Sequence, residues 1–214
     1  MGRQKNPSVC RSSWNFARAF DIGLRSKKLA HLQDVQLVFV GEGAEKKKLQ
    51  HLVEEMGLTN VQFICSQPKE RIPAFYAEAE LSFVPLRNLP MFDSYIPSKM
   101  FEILGSGCPI VASLSGEAAE ILKQSQGAIV VTPENVDEIV EATLSILYNT
   151  MLRERLSENG YRYVMQHYSR EALAQKYLSI IQELKEGVVE NDISHRRNRL
   201  YGYSSDGKAS QKRY

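Results

Sequence analysis

Residues 97–113 read PSKMFEILGSGCPIVAS, a helix and a buried strand joined by a glycine turn. Pro97 and Ser98 suit a helix start, with proline near the first turn and serine at the cap. Met100, Phe101, Ile103 and Leu104 make its apolar side, and Gly105-Ser106-Gly107 stops it. Cys108 to Ala112 then runs apolar and short, like a strand buried on both faces of a parallel sheet. One carboxylate, Glu102, stands in the helix. Ser98 and Lys99 stand at its N-terminus, where free backbone N–H groups and the helix dipole favour an anion. The plainest reading makes Ser98 a cap, Lys99 a solvated side chain and Glu102 an exposed helical residue. A functional reading needs the neighbouring loops to converge on the same place.

The pattern repeats on both sides of this stretch. Val35–Val40 is β-branched and apolar, breaks at Gly41-Glu42-Gly43, and leads to a predicted helix over 44–56 with Leu49, Leu52, Val53 and Met56 on one side. Val61–Cys65 is the next strand, followed by a short helix over 69–79 and a strand over 81–86. An irregular loop, RNLPMFDSYI, separates that strand from Pro97. Beyond Ser113, residues 117–123 make a helical turn or two and Gly127–Val131 a final strand. Thr132-Pro133-Glu134 reads as the start of a helix through Tyr148, and helices over 150–167 and 169–186 close the regular part. Strands alternating with helices imply βαβ units, hence an α/β, Rossmann-like, doubly wound parallel sheet. Ligands of such sheets bind outside the strand C-termini. The loops after Val40, Cys65, Leu86 and Ser113 therefore lie on the working edge.

Three segments follow from composition: a divergent 1–34, a regular 35–186 and a polar 187–214. Residues 1–34 carry seven Lys or Arg against two Asp and follow neither apolar period, with a helix expected somewhere in 12–32. Residues 187–214, with Arg196, Arg197, Arg199, Lys208, Lys212 and Arg213, read as a disordered basic tail. Such a tail can touch an anionic membrane surface, although simple solvation explains it as well. The net charge of +2 is too small to argue for nucleic acid. The three cysteines (Cys10, Cys65, Cys108) are scattered and point to a reducing compartment. The four histidines have no metal-ligand spacing. With no apolar run near a membrane span and no signal-peptide pattern, the expectation is a cytoplasmic protein, at most peripheral at the inner face of the plasma membrane.

Gly41-x-Gly43 after a strand invites the dinucleotide fingerprint, but Lys46 holds the third glycine position. Cys65-Ser66 stands where an acid should follow the next strand. No Ser/His/Asp set or thiol–imidazole pair is evident. What remains at the ligand edge is a set of small loops with Glu42, Lys99, Glu102 and Glu117. A carboxylate there can bind a ribose diol, and a helix N-terminus with a Lys can hold a diphosphate. Together these describe a nucleotide-sugar site.

Residues 35–64 (VQLVFVGEGAEKKKLQHLVEEMGLTNVQFI), 72–86 (IPAFYAEAELSFVPL), 97–113, 116–122 (GEAAEIL) and 127–131 (GAIVV), in this order, resemble the C-terminal, donor-binding half of group-1 retaining glycosyltransferases. The likeness is to the bacterial branch that builds surface polysaccharides and carries PSK-x-x-E-x-x-x-x-G-x-P-x-x-A. Those enzymes have two facing Rossmann-like domains, acceptor domain first. The resemblance implies sugar transfer from a nucleotide-sugar to a glycan or lipid-linked acceptor, with the donor as substrate and no cofactor. It implies that Glu102 binds the ribose hydroxyls, that Ser98 and Lys99 face the donor phosphates, and that Gly41, Glu42 and Gly43 line the cleft. Ser66 and Gln67, after Cys65, belong to the loop that packs on the base, and Gly116 and Glu117 to a loop near the donor sugar. A basic side chain and backbone amides would stabilise the leaving diphosphate without a metal. Lys99 and Glu102 are thus the implied catalytic pair.

Two departures stand against this pattern. Many relatives carry a second Glu eight residues before the ribose-binding one; here that position is Ser94, beside Asp93. Either the sugar-contacting carboxylate is missing or Asp93 substitutes through a loop shift. The family's donor domain also begins with a strand ending in a glycine turn that wraps the diphosphate. Gly2-Arg3-Gln4 resembles the far side of that turn, with the strand gone. The expectation is a truncated chain, its first strand and acceptor domain missing. It would leave two sheet edges unpaired and turn nothing over without a separate acceptor-domain chain. The alternative is a non-catalytic remnant that binds nucleotide or a protein partner.

Overall fold

The computed structural model describes residues 8–13 and 35–185. In chain order these form β1 (Ser8–Ser13), β2 (Val35–Val40), α1 (Lys46–Glu55), β3 (Val61–Ile64), a 3-10 turn (Lys69–Arg71) running into α2 (Ile72–Ala77), and β4 (Leu81–Pro85). A second 3-10 turn (Pro90–Phe92), α3 (Lys99–Gly105), β5 (Ile110–Ser113), α4 (Gly116–Ser125), β6 (Ala128–Val131), α5 (Val136–Tyr148), α6 (Thr150–His167) and α7 (Arg170–Lys185) follow. The chain divides into a unit ending at Tyr168 and one beginning at Ser169. In the second unit, Ser169 Oγ accepts the Ala172 N–H at 3.1 Å and so caps α7.

The six strands form one sheet in the order β3-β2-β1-β4-β5-β6, every pair parallel. This is the doubly wound topology read from the alternation of elements. The position expected to be empty is filled. β1 runs between β2 and β4, in register from Ser8 opposite Val35 to Ser13 opposite Val40, so neither neighbour presents a free edge. SVCRSS holds three serines and an arginine, so no apolar run announces the strand; backbone pairing on both sides defines it. Ser12 and Ser13, at the edge of the 12–32 window in which a helix is expected, belong to β1, and the rest of that window lies outside the described residues.

Alternation along the strands splits the core into two faces. Leu37 and Phe39 of β2, Leu81 and Phe83 of β4 and Val111 of β5 pack with Leu49 and Val53 of α1 and Ile139 and Ile146 of α5. Val84, Ile110 and Ala112, one residue out of phase, pack with Met100, Ile103 and Leu104 of α3, Leu122 of α4 and Val164 of α6. Met100, Ile103 and Leu104 are at most 1% exposed, and burial of each contributes about 2 kcal/mol. That apolar stripe fixes the rotation of α3 and so decides where Lys99 and Glu102 face.

Three local expectations are corrected. Ser98 is already helical (φ −55°, ψ −30°) and its side chain makes no cap bond. α4 is longer than a turn or two, because Ala118, Ala119 and Leu122 all bury on the sheet. α5 starts at Val136 rather than at Thr132-Pro133. Glu134 has φ 63° and breaks any helix there. Asn135 is the cap, accepting from the Glu138 N–H at 3.3 Å, while Glu138 reaches back to Asn135 Nδ2 at 2.6 Å and to the Thr132 N–H at 2.7 Å.

Candidate functional site

In the order 3-2-1-4-5-6, β1 connects toward β2 on one side and β4 toward β5 on the other, so a crevice opens between their C-terminal ends. The connection that follows β1 lies outside the described residues, as do Gly2 and Arg3. The wall on the β4 side is the connection from Leu86 to Ser98, which delivers the chain into α3.

The first turn of α3 supplies the two implied catalytic residues. Pro97 is buried and Ser98 exposed, and the turn is closed by Met100 N–H to Pro97 O at 3.0 Å and Phe101 N–H to Ser98 O at 3.1 Å. Lys99 follows, and burial pushes its ammonium down from 10.5 to about 7. Glu102, one turn on, is exposed. It neighbours Tyr76 of α2, whose hydroxyl is pushed up to about 12 by burial first, then by the charges of Glu102 and Cys108. Tyr76 belongs to the short helix expected over 69–79, from which no site residue was drawn. Its place beside Glu102 emerges only when α2 and α3 come together. Neither a solvated Lys99 nor a serine cap describes this turn.

Neighbouring strands hold the other loops at the same edge. The Gly41 N–H donates to Ile64 O at 3.0 Å, tying the β2 exit to the β3 exit. Gly41 has φ 119°, which only glycine adopts without strain. Gly43 is exposed, whereas the Glu42 carboxylate turns to Lys46 Nζ at 2.8 Å and is thereby engaged within its own turn. Ser66 is exposed, and Gln67 Nε2 donates to Cys65 O at 3.2 Å, closing the loop after β3. On the far side, the Leu86 N–H donates to Ser113 O at 2.8 Å, so the β4 and β5 loops leave the sheet together. Gly116 and Glu117 sit at the start of α4 against Asp93: the Glu117 N–H donates to Asp93 O at 2.8 Å and Ser115 Oγ to Asp93 Oδ1 at 2.8 Å.

The described part of the edge therefore runs from Ser66 through Gly41 to the first turn of α3 and on to Gly116. A half-buried lysine and an exposed carboxylate one turn apart can meet a diphosphate and a diol together. Among the described residues no cluster of His, Cys, Asp or Glu could hold a metal ion, and no helix is long and apolar enough to cross a membrane.

Residues 22–163 match the family model described as glycosyl transferases group 1. The chain is 31% identical over 132 residues to WcaI of Escherichia coli K12, named as a colanic acid biosynthesis glycosyl transferase; the match covers 58% of this chain and 32% of that protein. The first curated relatives are covered over 32% to 43% of their length. Anabaena Alr3699/HepE, solved in complex with UDP-glucose, superposes with a TM-score of 0.67 at 18% identity, over 83% of this chain and 49% of that one. The C-terminal domain of the group 1 protein LpcC from Francisella tularensis superposes with a TM-score of 0.61 at 18% identity, over 79% of this chain and 95% of that domain. At these identities the structural likeness speaks for the fold, and the family match for descent. This chain, from residue 22 to residue 163 at least, belongs to the group 1 glycosyl transferases.

Proposed function

We propose that this chain binds a nucleotide-sugar and forms the donor half of a retaining glycosyltransferase that extends a glycan or lipid-linked acceptor in surface-polysaccharide biosynthesis. The observation that carries this reading is the first turn of α3, which follows the connection from β4 and carries Lys99, whose ammonium burial pushes down to about 7, with the exposed Glu102 one turn on. Glu102 accepts from the ribose hydroxyls. Lys99 meets the diphosphate, whose negative charge grows as the glycosidic bond to the leaving group breaks. Donors already in place before that moment stabilise it most. Gly41 to Gly43 line the cleft and the loop of Ser66 and Gln67 flanks the base. The polysaccharide assignment rests on the name of WcaI, and UDP and GDP are both candidates for the donor's nucleotide, since HepE was solved with UDP-glucose and a mycobacterial relative is named as GDP-mannose-dependent.

Turnover needs an acceptor-binding wall facing this edge, because proximity and exclusion of water supply much of the rate. The described residues build one Rossmann-like layer, and the second wall is proposed to come from a separate acceptor domain. The alternative of a non-catalytic remnant draws on the loss of the central strand, and β1 stands in place between β2 and β4. The reading places the chain in the cytoplasm, where nucleotide-sugars would reach it.

Titrating isotope-labelled protein with UDP and, separately, GDP tests the site by NMR. Amide shifts should gather at 41–43, 65–67 and 98–102 with one of the two. Shifts confined to the opposite edge of the sheet, or none with either nucleotide, would refute the assignment.

A further inference from the structure

The loop between β4 and α3 is wound on itself, by Asp93 N–H to Pro90 O at 3.2 Å and Tyr95 N–H to Phe92 O at 3.1 Å. It is fastened at its root by Leu86 N–H to Ser113 O at 2.8 Å. Further out, Asp93 is gripped from three directions by residues 115–117. Ser115 Oγ donates to its carboxylate at 2.8 Å, and the Glu117 N–H donates to its carbonyl at 2.8 Å. Gly116, at φ 70°, lies so close that a Cβ there would run into the Asp93 carbonyl oxygen and stand 2.6 Å from its carbon.

We propose that Asp93 is a positioning residue: it clasps the β4–α3 loop onto the start of α4, and this fixed pair of loops sets how the site tells a sugar nucleotide from a bare nucleoside diphosphate. The proposal rests on the donor reading above. Residue 94, the position expected to hold a sugar-contacting carboxylate, is a serine. The nearest carboxylate, Asp93, already has one oxygen committed to Ser115. The first-turn amide of Glu117 is likewise committed. These groups therefore shape the wall rather than reach for the sugar. The donor reading assigns the nucleotide end to α3 and to the β2 and β3 loops, while the clasp's bonds run between Asp93 and residues 115–117, so opening it should affect the sugar end most.

The test uses the full chain with Ser115→Ala, Ser115→Thr and Gly116→Ala. Hydrogen exchange without ligand should speed up at 87–96 and at the Glu117 amide in the Ala variants, with the β2 and β3 amides unchanged. UDP-glucose and UDP (then GDP-mannose and GDP) are titrated in parallel. Ser115→Ala should weaken the sugar nucleotide about fivefold relative to the diphosphate, the size of one hydrogen bond. Ser115→Thr, which keeps the hydroxyl, should restore the ratio, and Gly116→Ala should shift it further. Unchanged exchange in both Ala variants would overturn the clasp. Equal weakening of both ligands would overturn the role in discrimination. Wild-type protein that binds neither pair would remove the donor reading and the discrimination with it, while the exchange arm still decides the clasp.

Discussion

Binding of UDP-glucose at pH 8 is expected to take up close to one proton, and Lys99 is the group that takes it. Burial places its ammonium at about 7, so at pH 8 about nine-tenths of the free protein carries it neutral. A diphosphate laid against it restores the charged form, which couples affinity to pH. If the bound value exceeds 9, the dissociation constant should rise about 30-fold between pH 6 and pH 8.5, about 2 kcal/mol. UDP-glucose is the right probe because its diphosphate is esterified at both ends and does not titrate in that window. Calorimetry in two buffers of different ionisation enthalpy reads the proton uptake directly. Lys99→Met should bind more weakly and lose the pH dependence. The same shift predicts stability: the folded value lies below the unfolded one, so the unfolded chain binds more protons between about 7 and 10.5. Wild-type stability should rise with pH across that range, and the rise should vanish in Lys99→Met. No proton uptake, or a pH dependence that survives Lys99→Met, would refute the placement of Lys99 at the diphosphate.

Other expectations concern the scaffold and are read by chemical denaturation. A Cβ on Gly127 would strike the Gly160 Cα and come within 2.7 Å of Leu104 Cδ2, so Gly127→Ala should cost about 3 kcal/mol. Gly160→Ala should cost less, because its closest obstacle is the Leu104 side chain at 2.7 Å and alanine in mid-helix regains about 1 kcal/mol. Arg153 spans Glu80 Oε2 at 2.7 Å and the Leu147 carbonyl at 3.2 Å. Arg153→Ala should therefore destabilise by about 2 kcal/mol, and Glu80→Gln by less than about 1 kcal/mol since the pair is partly solvated. Asn135→Ala removes the reciprocal cap of α5 and should cost about 1 kcal/mol.

The sheet was legible where a strand is mostly apolar and buried, since Val35–Val40 carries only Gln36 and Ile110–Ser113 only Ser113 as a polar side chain. β1 was not, because SVCRSS has no apolar pattern and its place depends on partners distant in the chain. The start of α5 falls later than Pro133 suggests, because Glu134 at φ 63° interrupts the chain before Val136. The stronger signal was Asn135 followed three residues later by Glu138, a capping box. Lys99 and Glu102 could be named from the helix start they share and from the family resemblance, but not the burial that depresses Lys99 or the approach of Tyr76 to Glu102. Asp93 was noticed only as a replacement for a missing carboxylate. Its engagement with Ser115 joins residues 22 positions apart, which no local pattern encodes.

The most direct test of the donor site is calorimetric titration of the purified chain with UDP and GDP, with Glu102→Ala alongside. The account predicts that one of the two binds and that Glu102→Ala weakens it by about 1 kcal/mol or more, the scale of a charge-assisted hydrogen bond. A folded protein that binds neither nucleotide, or binds with the same affinity after Glu102→Ala, would contradict it.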